Sequence, residues 1–256
     1  MLLAVDVGNS NTVAGVFEGE RLTHHWRVST ETHRTSDEVA LTLQGLLSFA
    51  DLSLMRDVHG LAVASVVPAM TEVYREMADR YVRVPPVVVE PGIKTGLPLR
   101  VDNPREVGAD RIVNAVAASV LYGAPSIVVD FGTATSFDAV DRDGSFVGGA
   151  IAPGVQISTE ALSEKAARLP KVETVRPMAA VGRTTVAALQ SGIVYGFAGQ
   201  VDAIVTRLCA ELGPGVTTVA TGGLAPSVLE ACQTLDHHDP WLTLKGLRII
   251  WERNAR

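Results

Sequence analysis

Short apolar runs alternate with longer amphipathic segments along the 256-residue chain. Compact apolar runs between turn residues are typical of buried strands, and apolar positions three and four apart are typical of helices. The pattern predicts strands over residues 2–5, 13–17, 22–28, 61–67, 87–90, 127–129, 137–140, 146–151 and 217–220. It predicts helices over residues 36–50, 69–81, 104–122, 154–167 and 185–212, with Ser36 as the N-cap of the first. Strands that alternate with helices favour an α/β fold with mixed sheets.

One strand signature occurs twice, almost half a chain apart. An apolar run ends in Asp6-Val7-Gly8 and another in Asp130-Phe131-Gly132, and hydroxyl or amide residues follow each glycine. Two further alternating segments come after each copy. The repeat predicts two lobes of one plan, over residues 1–115 and 116–256, each presenting an acidic, glycine-containing turn to a shared cleft. Such a cleft suits a nucleotide.

Composition narrows the class of protein. A net charge of −6, with no clustered basic run, argues against a nucleic-acid partner. No stretch approaches 18 uninterrupted apolar residues, so we expect no membrane span. The chain starts with strand-like residues rather than with the basic start and long apolar run of a signal peptide. We therefore expect a cytoplasmic protein.

The segment that follows the first strand has the chemistry of a phosphate site. Gly8 lets the backbone approach a ligand closely, and successive N–H groups and hydroxyls can surround phosphate oxygens. A carboxylate such as Asp6 would repel phosphates unless a cation lay between them, which indicates Mg²⁺. A polar hairpin turn is the alternative reading. The second copy at Asp130 favours the phosphate site.

Two other segments carry candidate chemistry. In Gly108-Ala109-Asp110-Arg111 an acid and a base follow a glycine at a helix start, where Asp110 could accept a substrate hydroxyl proton and Arg111 could anchor an anion. The alternative is a helix-start Asp beside a surface Arg. Thr221-Gly222-Gly223 predicts a strand end that turns into a helix and could hold an adenine or ribose, or could be a plain turn.

With these motifs the chain resembles the type III pantothenate kinases, within the acetate-kinase/hexokinase/actin-like superfamily. The resemblance covers essentially the whole length. The two strand signatures alone are similar to the superfamily at large, whereas the Gly-Ala-Asp-Arg segment is similar to this family. The remaining matching motifs are Gly148-Gly149-Ala150-Ile151-Ala152-Pro153-Gly154, Thr185 and Gln190-Ser191-Gly192.

The resemblance implies two duplicated ribonuclease-H-like (actin-like ATPase) lobes, with mixed sheets flanked by helices. It implies ATP-dependent phosphorylation of pantothenate to 4'-phosphopantothenate, the first step of coenzyme A synthesis, by a homodimer. The implied ATP contacts are Asp6, Val7, Gly8, Asn9, Ser10, Asn11, Thr12, Val13 and Thr133. The implied substrate contacts are Gly108, Ala109, Asp110, Arg111 and Thr185. Asp110 would be the proton acceptor, Asp130 would bind a monovalent cation (K⁺ or NH₄⁺), and Asp6 would act on Mg²⁺, indirectly.

Two alternatives stay open at this point. One is a regulatory accessory protein of the same fold, which predicts eroded motifs, and the other is a different small-molecule kinase of the superfamily. The chain also departs from the family's pattern at Val101, which precedes Asp102-Asn103-Pro104 where relatives often have a tyrosine that contacts substrate. Thr185 also has a second reading, as a residue at a helix cap.

Overall fold

The computed structural model describes residues 1–166 and 169–255. Its strands are β1 (Leu2–Val7), β2 (Asn11–Glu18), β3 (Arg21–Ser29), β4 (Gly60–Ser65), β5 (Val87–Val88), β6 (Ser126–Phe131), β7 (Ala134–Val140), β8 (Phe146–Pro153), β9 (Thr217–Thr221) and β10 (His237–His238). Its α-helices are α1 (Ser36–Ser48), α2 (Leu54–Asp57), α3 (Pro68–Met77), α4 (Ala109–Leu121), α5 (Val155–Lys165), α6 (Thr185–Leu212) and α7 (Leu242–Asn254).

The strands form two five-stranded mixed sheets with the same plan. The first has the order β3-β2-β1-β4-β5, in which β2 is antiparallel and β4 parallel to β1. The second, read from its far edge, has the order β8-β7-β6-β9-β10, with β7 antiparallel and β9 parallel to β6. Each strand of one sheet therefore has a counterpart in the other, which confirms the duplicated α/β fold that the repeat predicted.

The central strands are apolar because helices cover them. Leu3, Val5 and Val7 of β1 are fully buried and belong to the core that α1 and α3 close. Ile127 and Val129 of β6 are fully buried in the core of the second sheet, under α5 and α6. Both carboxylates of the repeated signature lie near the end of such a strand, half-buried, where the apolar run gives way to the turn.

The contacts divide the chain into two compact units. The first comprises Met1–Pro98, Asp102–Ala117 and the C-terminal segment from Leu242, and the second comprises Leu99–Val101 and Ala118–Trp241. The grouping of α7 differs from the lobe boundaries of 1–115 and 116–256. Gly246 of α7 lies so close to Val113 of α4 that a Cβ there would overlap it, and the Trp251 ring occupies the space beside Gly60 of β4.

Local sequence explains several element boundaries. The α6 bounds, Thr185–Leu212, are those predicted. The N-cap of α1 is Thr35, not Ser36, because the Thr35 hydroxyl accepts from the Glu38 N–H while the Glu38 carboxylate accepts from the Thr35 N–H. The predicted helix over 104–122 is two elements, a 3₁₀ turn and α4, because Val107 is extended.

Other boundaries were predicted less well. Pro68 opens α3, which ends at Met77 and continues as a π-helical turn over Ala78–Val82. The segment after β9 forms two 3₁₀ turns, Ala225–Ser227 and Leu229–Ala231, instead of the expected helix. The predicted end of the helix over 154–167 lies outside the described residues, within which α5 ends at Lys165.

Candidate active site

The turn between β1 and β2 contains the first acidic signature. The Gly8 N–H donates to the Asn11 carbonyl oxygen at 3.0 Å and closes the turn. A Cβ at Gly8 would lie 3.0 Å from that same oxygen, which is tighter than an ordinary contact. The Asn9 and Ser10 side chains are exposed at the tip, and Asp6 is half-buried at its base. The turn therefore presents polar groups to solvent beside a carboxylate.

Thr12, which ends this segment, faces the other way. Its side chain is only 5% exposed, on the side of β2 that carries the buried Ala14 and Val16. The Thr12 hydroxyl lies 2.9 Å from the Thr30 hydroxyl, just beyond β3. The side chain is thus directed into the core of the first unit, away from the exposed tip of the turn.

Asp110 lies in the first turn of α4. Its Oδ1 accepts from the Arg111 N–H at 2.8 Å, so one carboxylate oxygen is held against the helix N-terminus. A Cβ at Gly108 would lie 2.5 Å from that oxygen, closer than non-bonded atoms approach. Glycine at 108 therefore gives the carboxylate room to take this position.

Burial raises the pKa of the Asp110 carboxyl above its usual range. Desolvation of the half-buried side chain is the largest cause, and the Arg111 N–H and the Arg111 positive charge partly offset it. A carboxylate with a raised pKa is a stronger base than an exposed aspartate. The environment therefore favours a role for Asp110 as a proton acceptor.

The second acidic signature is packed against two glycines of its own unit. Gly222 has φ +93°, and a Cβ there would overlap Asp130 Oδ1 and the Phe131 backbone. A Cβ at Gly154, the residue before α5, would overlap the carbonyl oxygens of Gly132 and Thr133. The Gly222 backbone thus lies close to Asp130, and Gly154 lies close to the adjoining turn, which carries the exposed Thr133.

Two threonines, Thr184 and Thr185, lie at the start of α6 in the second unit. Thr184 is the N-cap, since its hydroxyl accepts from the Ala187 N–H at 3.1 Å, and Thr185 is exposed on the first turn. Further along, the Ser191 hydroxyl donates to the Ala180 carbonyl at 2.6 Å and Gln190 donates to the Glu173 carbonyl at 3.3 Å. These two side chains fasten the irregular segment that precedes α6.

Comparisons with known proteins identify the family. The family model described as type III pantothenate kinase matches residues 2–207. A type III pantothenate kinase of Thermobifida fusca is 58% identical over 259 residues, covering 100% of both chains. One of Streptomyces avermitilis is 56% identical over 261 residues, covering 99% of this chain and 98% of the relative. The chain belongs to the type III pantothenate kinase family.

Solved structures at low identity agree with the fold. The ROK hexokinase of Thermus thermophilus superposes with a TM-score of 0.58 at 15% identity, covering 100% of this chain and 99% of that one. Component A of the (R)-2-hydroxyglutaryl-CoA dehydratase of Acidaminococcus fermentans superposes with a TM-score of 0.55 at 14% identity, covering 100% and 99%. This chain thus shares its overall fold with these two proteins.

The predicted site residues of this family member fall into two groups. The first unit holds the ATP segment from Asp6 to Val13 and the substrate segment from Gly108 to Arg111, and the second holds Asp130, Thr133 and Thr185. Val101, where relatives often have a tyrosine, has its Cγ1 beside Gly148 of β8 in the second unit. The individual roles of these residues stay predictions.

The structure also adds residues that the sequence did not single out. Thr30 contacts the first acidic turn through its hydroxyl and through its N–H, which donates to the Ser10 carbonyl at 3.0 Å. Gly154 belongs to a matching motif and to the predicted helix start, and the structure adds its close approach to the Gly132–Thr133 turn. No sequence signal marks Thr30, whereas the Thr-Gly-Gly run did point to Gly222.

Proposed function

We propose that this protein is a pantothenate kinase, which transfers the γ-phosphoryl group of ATP to the terminal hydroxyl of pantothenate and forms 4'-phosphopantothenate for coenzyme A synthesis. The single observation that carries the proposal is the full-length identity of 58% with a type III pantothenate kinase. The half-buried carboxyl of Asp110, whose pKa is raised by desolvation, supports the assignment of this residue as the proton acceptor.

In the proposed reaction Asp110 orients the pantothenate hydroxyl and receives its proton. The hydroxyl oxygen forms a bond to the γ-phosphorus while the bond from that phosphorus to the ADP oxygen breaks. Phosphoryl transfer passes through a loose transition state, so the proton moves late and positioning matters more than base strength. Arg111 would bind the pantothenate carboxylate, and Gly108, Ala109 and Thr185 would line the substrate site.

The phosphates of ATP would lie against the turn that runs from Asp6 to Val13, with Thr133 as a further ATP contact. Among residues 1–166 and 169–255 no group of three or more His, Cys, Asp or Glu side chains could hold a metal. Mg²⁺ would instead be bound mainly by the ATP phosphates and water, with Asp6 acting through the water shell. When bound, Mg²⁺ would offset the negative charge of the phosphates.

A monovalent cation, K⁺ or NH₄⁺, is proposed at Asp130. The Asp130 carboxylate and the carbonyl oxygens of the Gly132–Thr133 turn are donors of the kind that K⁺ prefers. Gly222 and Gly154 let backbone approach this region closely. The proposed role of the ion is to neutralise charge near the nucleotide.

We also propose a cytoplasmic homodimer that binds neither nucleic acid nor membrane. Within the described residues only α6 is long and apolar enough to cross a membrane, and one such helix is weak support for a span. Only 28% of the most apolar 18-residue stretch of this helix is buried, and Val186 of α6 and Ile157 and Leu162 of α5 are exposed. A second copy of the chain would cover such apolar surface.

The two alternatives make different predictions from this proposal. A regulatory protein of the same fold would show eroded motifs, yet Asp6, Asp110, Arg111 and Asp130 are all present. A sugar or acetate kinase would phosphorylate a different acceptor.

A coupled assay of ADP formation from ATP separates the three possibilities. Its acceptor is pantothenate, a hexose or acetate, and its salt is K⁺ or Na⁺. We expect turnover with pantothenate, faster in K⁺, and no turnover with pantothenate in either salt would refute the proposal.

A further inference from the structure

The phosphate-binding turn proposed above is fastened from behind by a residue outside it. Thr30, the first residue after β3, contacts Ser10 at the exposed tip and the buried Thr12 beyond it. Its N–H donates to the Ser10 carbonyl at 3.0 Å, and its hydroxyl lies 2.9 Å from the Thr12 hydroxyl. The Gly8–Asn11 hydrogen bond closes the turn itself, so Thr30 joins that closed turn to the end of the neighbouring strand.

Thr12 receives support from a second element as well. Tyr74 of α3 is buried in the same core. Burial raises the pKa of its phenol above the usual range, and the Arg34 charge and a hydrogen bond with the Thr12 side chain partly offset this shift. A tyrosine phenol is protonated at neutral pH even at its ordinary pKa of about 10, so the Tyr74 hydroxyl can donate a hydrogen bond there. Thr12 and Tyr74 line a cavity of about 20 Å³, which has room for one water molecule.

The Thr12 hydroxyl is therefore a buried polar group whose partners are Thr30, just after β3, and Tyr74 of α3. Buried hydroxyls that lose a partner are costly, and the backbone around them shifts to recover one. The backbone around Thr12 is the end of the proposed phosphate site. Displacement of that backbone would weaken ATP contacts and leave pantothenate contacts near Asp110 unchanged, because the two segments are carried by different elements.

We propose that Thr30 is a positioning residue for ATP, which holds the turn from Gly8 to Thr12 in its phosphate-binding conformation through the Thr12 hydroxyl and the Ser10 carbonyl. Thr12 itself acts on ATP through its backbone, since its side chain is directed into the core. This inference rests on the proposed function of the segment from Asp6 to Val13 as the ATP site.

The test compares Thr30→Val, which removes the hydroxyl at nearly constant shape, with Thr30→Ser, which retains it. Thr23→Val is the matched control, because Thr23 lies on β3 and its hydroxyl donates to the Val16 carbonyl at 3.1 Å, away from the turn. We expect Thr30→Val to raise the KM for ATP about tenfold, with kcat and the KM for pantothenate within about twofold of wild type. Thr30→Ser and Thr23→Val should leave the KM for ATP unchanged.

Direct binding of ATP, measured by calorimetry, should show the same loss of affinity for Thr30→Val. If Thr30→Val leaves ATP affinity unchanged, the inference fails, and a larger fall in its unfolding temperature than in that of Thr23→Val would then show that Thr30 only stabilises the fold. Asp6→Asn distinguishes that failure from failure of the ATP assignment. An unchanged ATP affinity in Asp6→Asn overturns the ATP segment itself, whereas a weakened one with unaltered Thr30→Val overturns only the role of Thr30.

Discussion

At the residue scale, the protonation of Asp110 couples activity to stability. Its native pKa is raised, so the native state binds a proton more tightly than the unfolded chain, whose carboxyl has a pKa of about 4. The stability of the native state therefore falls as pH rises from below the unfolded pKa through the higher native pKa, and it is constant above. The ionised form of Asp110, which is the form that can accept the proton, therefore lowers the free energy of unfolding.

Asp110→Asn should separate these two effects. The amide cannot accept the hydroxyl proton, so we expect kcat to fall about a hundredfold to ten-thousandfold. The amide carries no charge to desolvate, so thermal unfolding at pH 7 should occur at the wild-type temperature or above. This advantage should disappear at a pH below about 4, where the wild-type carboxyl is also protonated. A variant that unfolds earlier than wild type at pH 7 would contradict the desolvation argument.

The pH dependence of turnover should report the same carboxyl. Since Asp110 must be ionised to accept a proton, kcat/KM for pantothenate should rise with pH through a pKa above the usual range for aspartate. A profile of kcat/KM against pH from acid to neutral, with saturating ATP, measures it. An acid limb at or below a pKa of about 4 would show that the free enzyme's essential base is not a desolvated Asp110.

At the element scale, the close approach of backbone around Asp130 is a feature of strand ends. Gly222, at the end of β9, has φ +93° and lies against Asp130 and Phe131. Gly215 has a similar φ of +83° with open space where a Cβ would be. Replacing either glycine by alanine should lower the free energy of unfolding by about 1–2 kcal/mol, because a positive φ strains a residue that has a Cβ. Gly215→Ala is therefore a matched control for Gly222→Ala.

Gly222→Ala should therefore do more than destabilise the fold. The added methyl group would displace the Asp130 carboxylate, so we expect a higher K⁺ concentration for half-maximal activity, whereas Gly215→Ala should keep the wild-type value. Initial rates over a series of K⁺ concentrations at constant ionic strength measure this. Equal K⁺ dependence in the two variants would argue against a cation site at Asp130.

Helix α1 has no proposed role in catalysis, and its N-terminus is stabilised by a capping box. Thr35→Ala removes the hydroxyl that accepts from the Glu38 N–H and should lower the free energy of unfolding by about 1 kcal/mol. Urea unfolding measures the change, and Thr35→Ser should restore most of it. We expect unchanged KM values in both variants, and an altered KM would indicate that α1 contributes to a substrate site.

The sequence predicts the local elements of this protein better than it predicts the contacts between distant residues. The strand signatures at Asp6 and Asp130, the two equivalent sheets and the α6 bounds follow from local patterns that the residues themselves carry. The Thr12–Thr30 contact, the approach of Gly222 to Asp130 and the packing of α7 beside β1 and β4 join residues far apart in the chain, and no local pattern encodes them. The raised pKa of Asp110 likewise depends on burial by neighbours that a linear sequence does not identify.

At the scale of the whole molecule, the exposed apolar surface of α5 and α6 bears on assembly. If a second copy covers it, a charge there should prevent association. We expect Val186→Glu to lower the mass measured by light scattering from that of a dimer to that of a monomer. Leu41→Glu, at an exposed leucine of α1 in the other unit, is the control and should remain dimeric. A monomeric wild-type protein would refute the homodimer.

The central claim is that this chain phosphorylates pantothenate with Asp110 as the proton acceptor. Phosphorus NMR of a reaction with ATP, Mg²⁺, K⁺ and pantothenate tests it most directly, with wild type and Asp110→Asn compared at equal concentration. The account predicts a phosphomonoester resonance of 4'-phosphopantothenate, stoichiometric with ADP, for wild type and almost none for the variant. Absence of this product with wild type, or its formation at an equal rate by Asp110→Asn, would contradict the account.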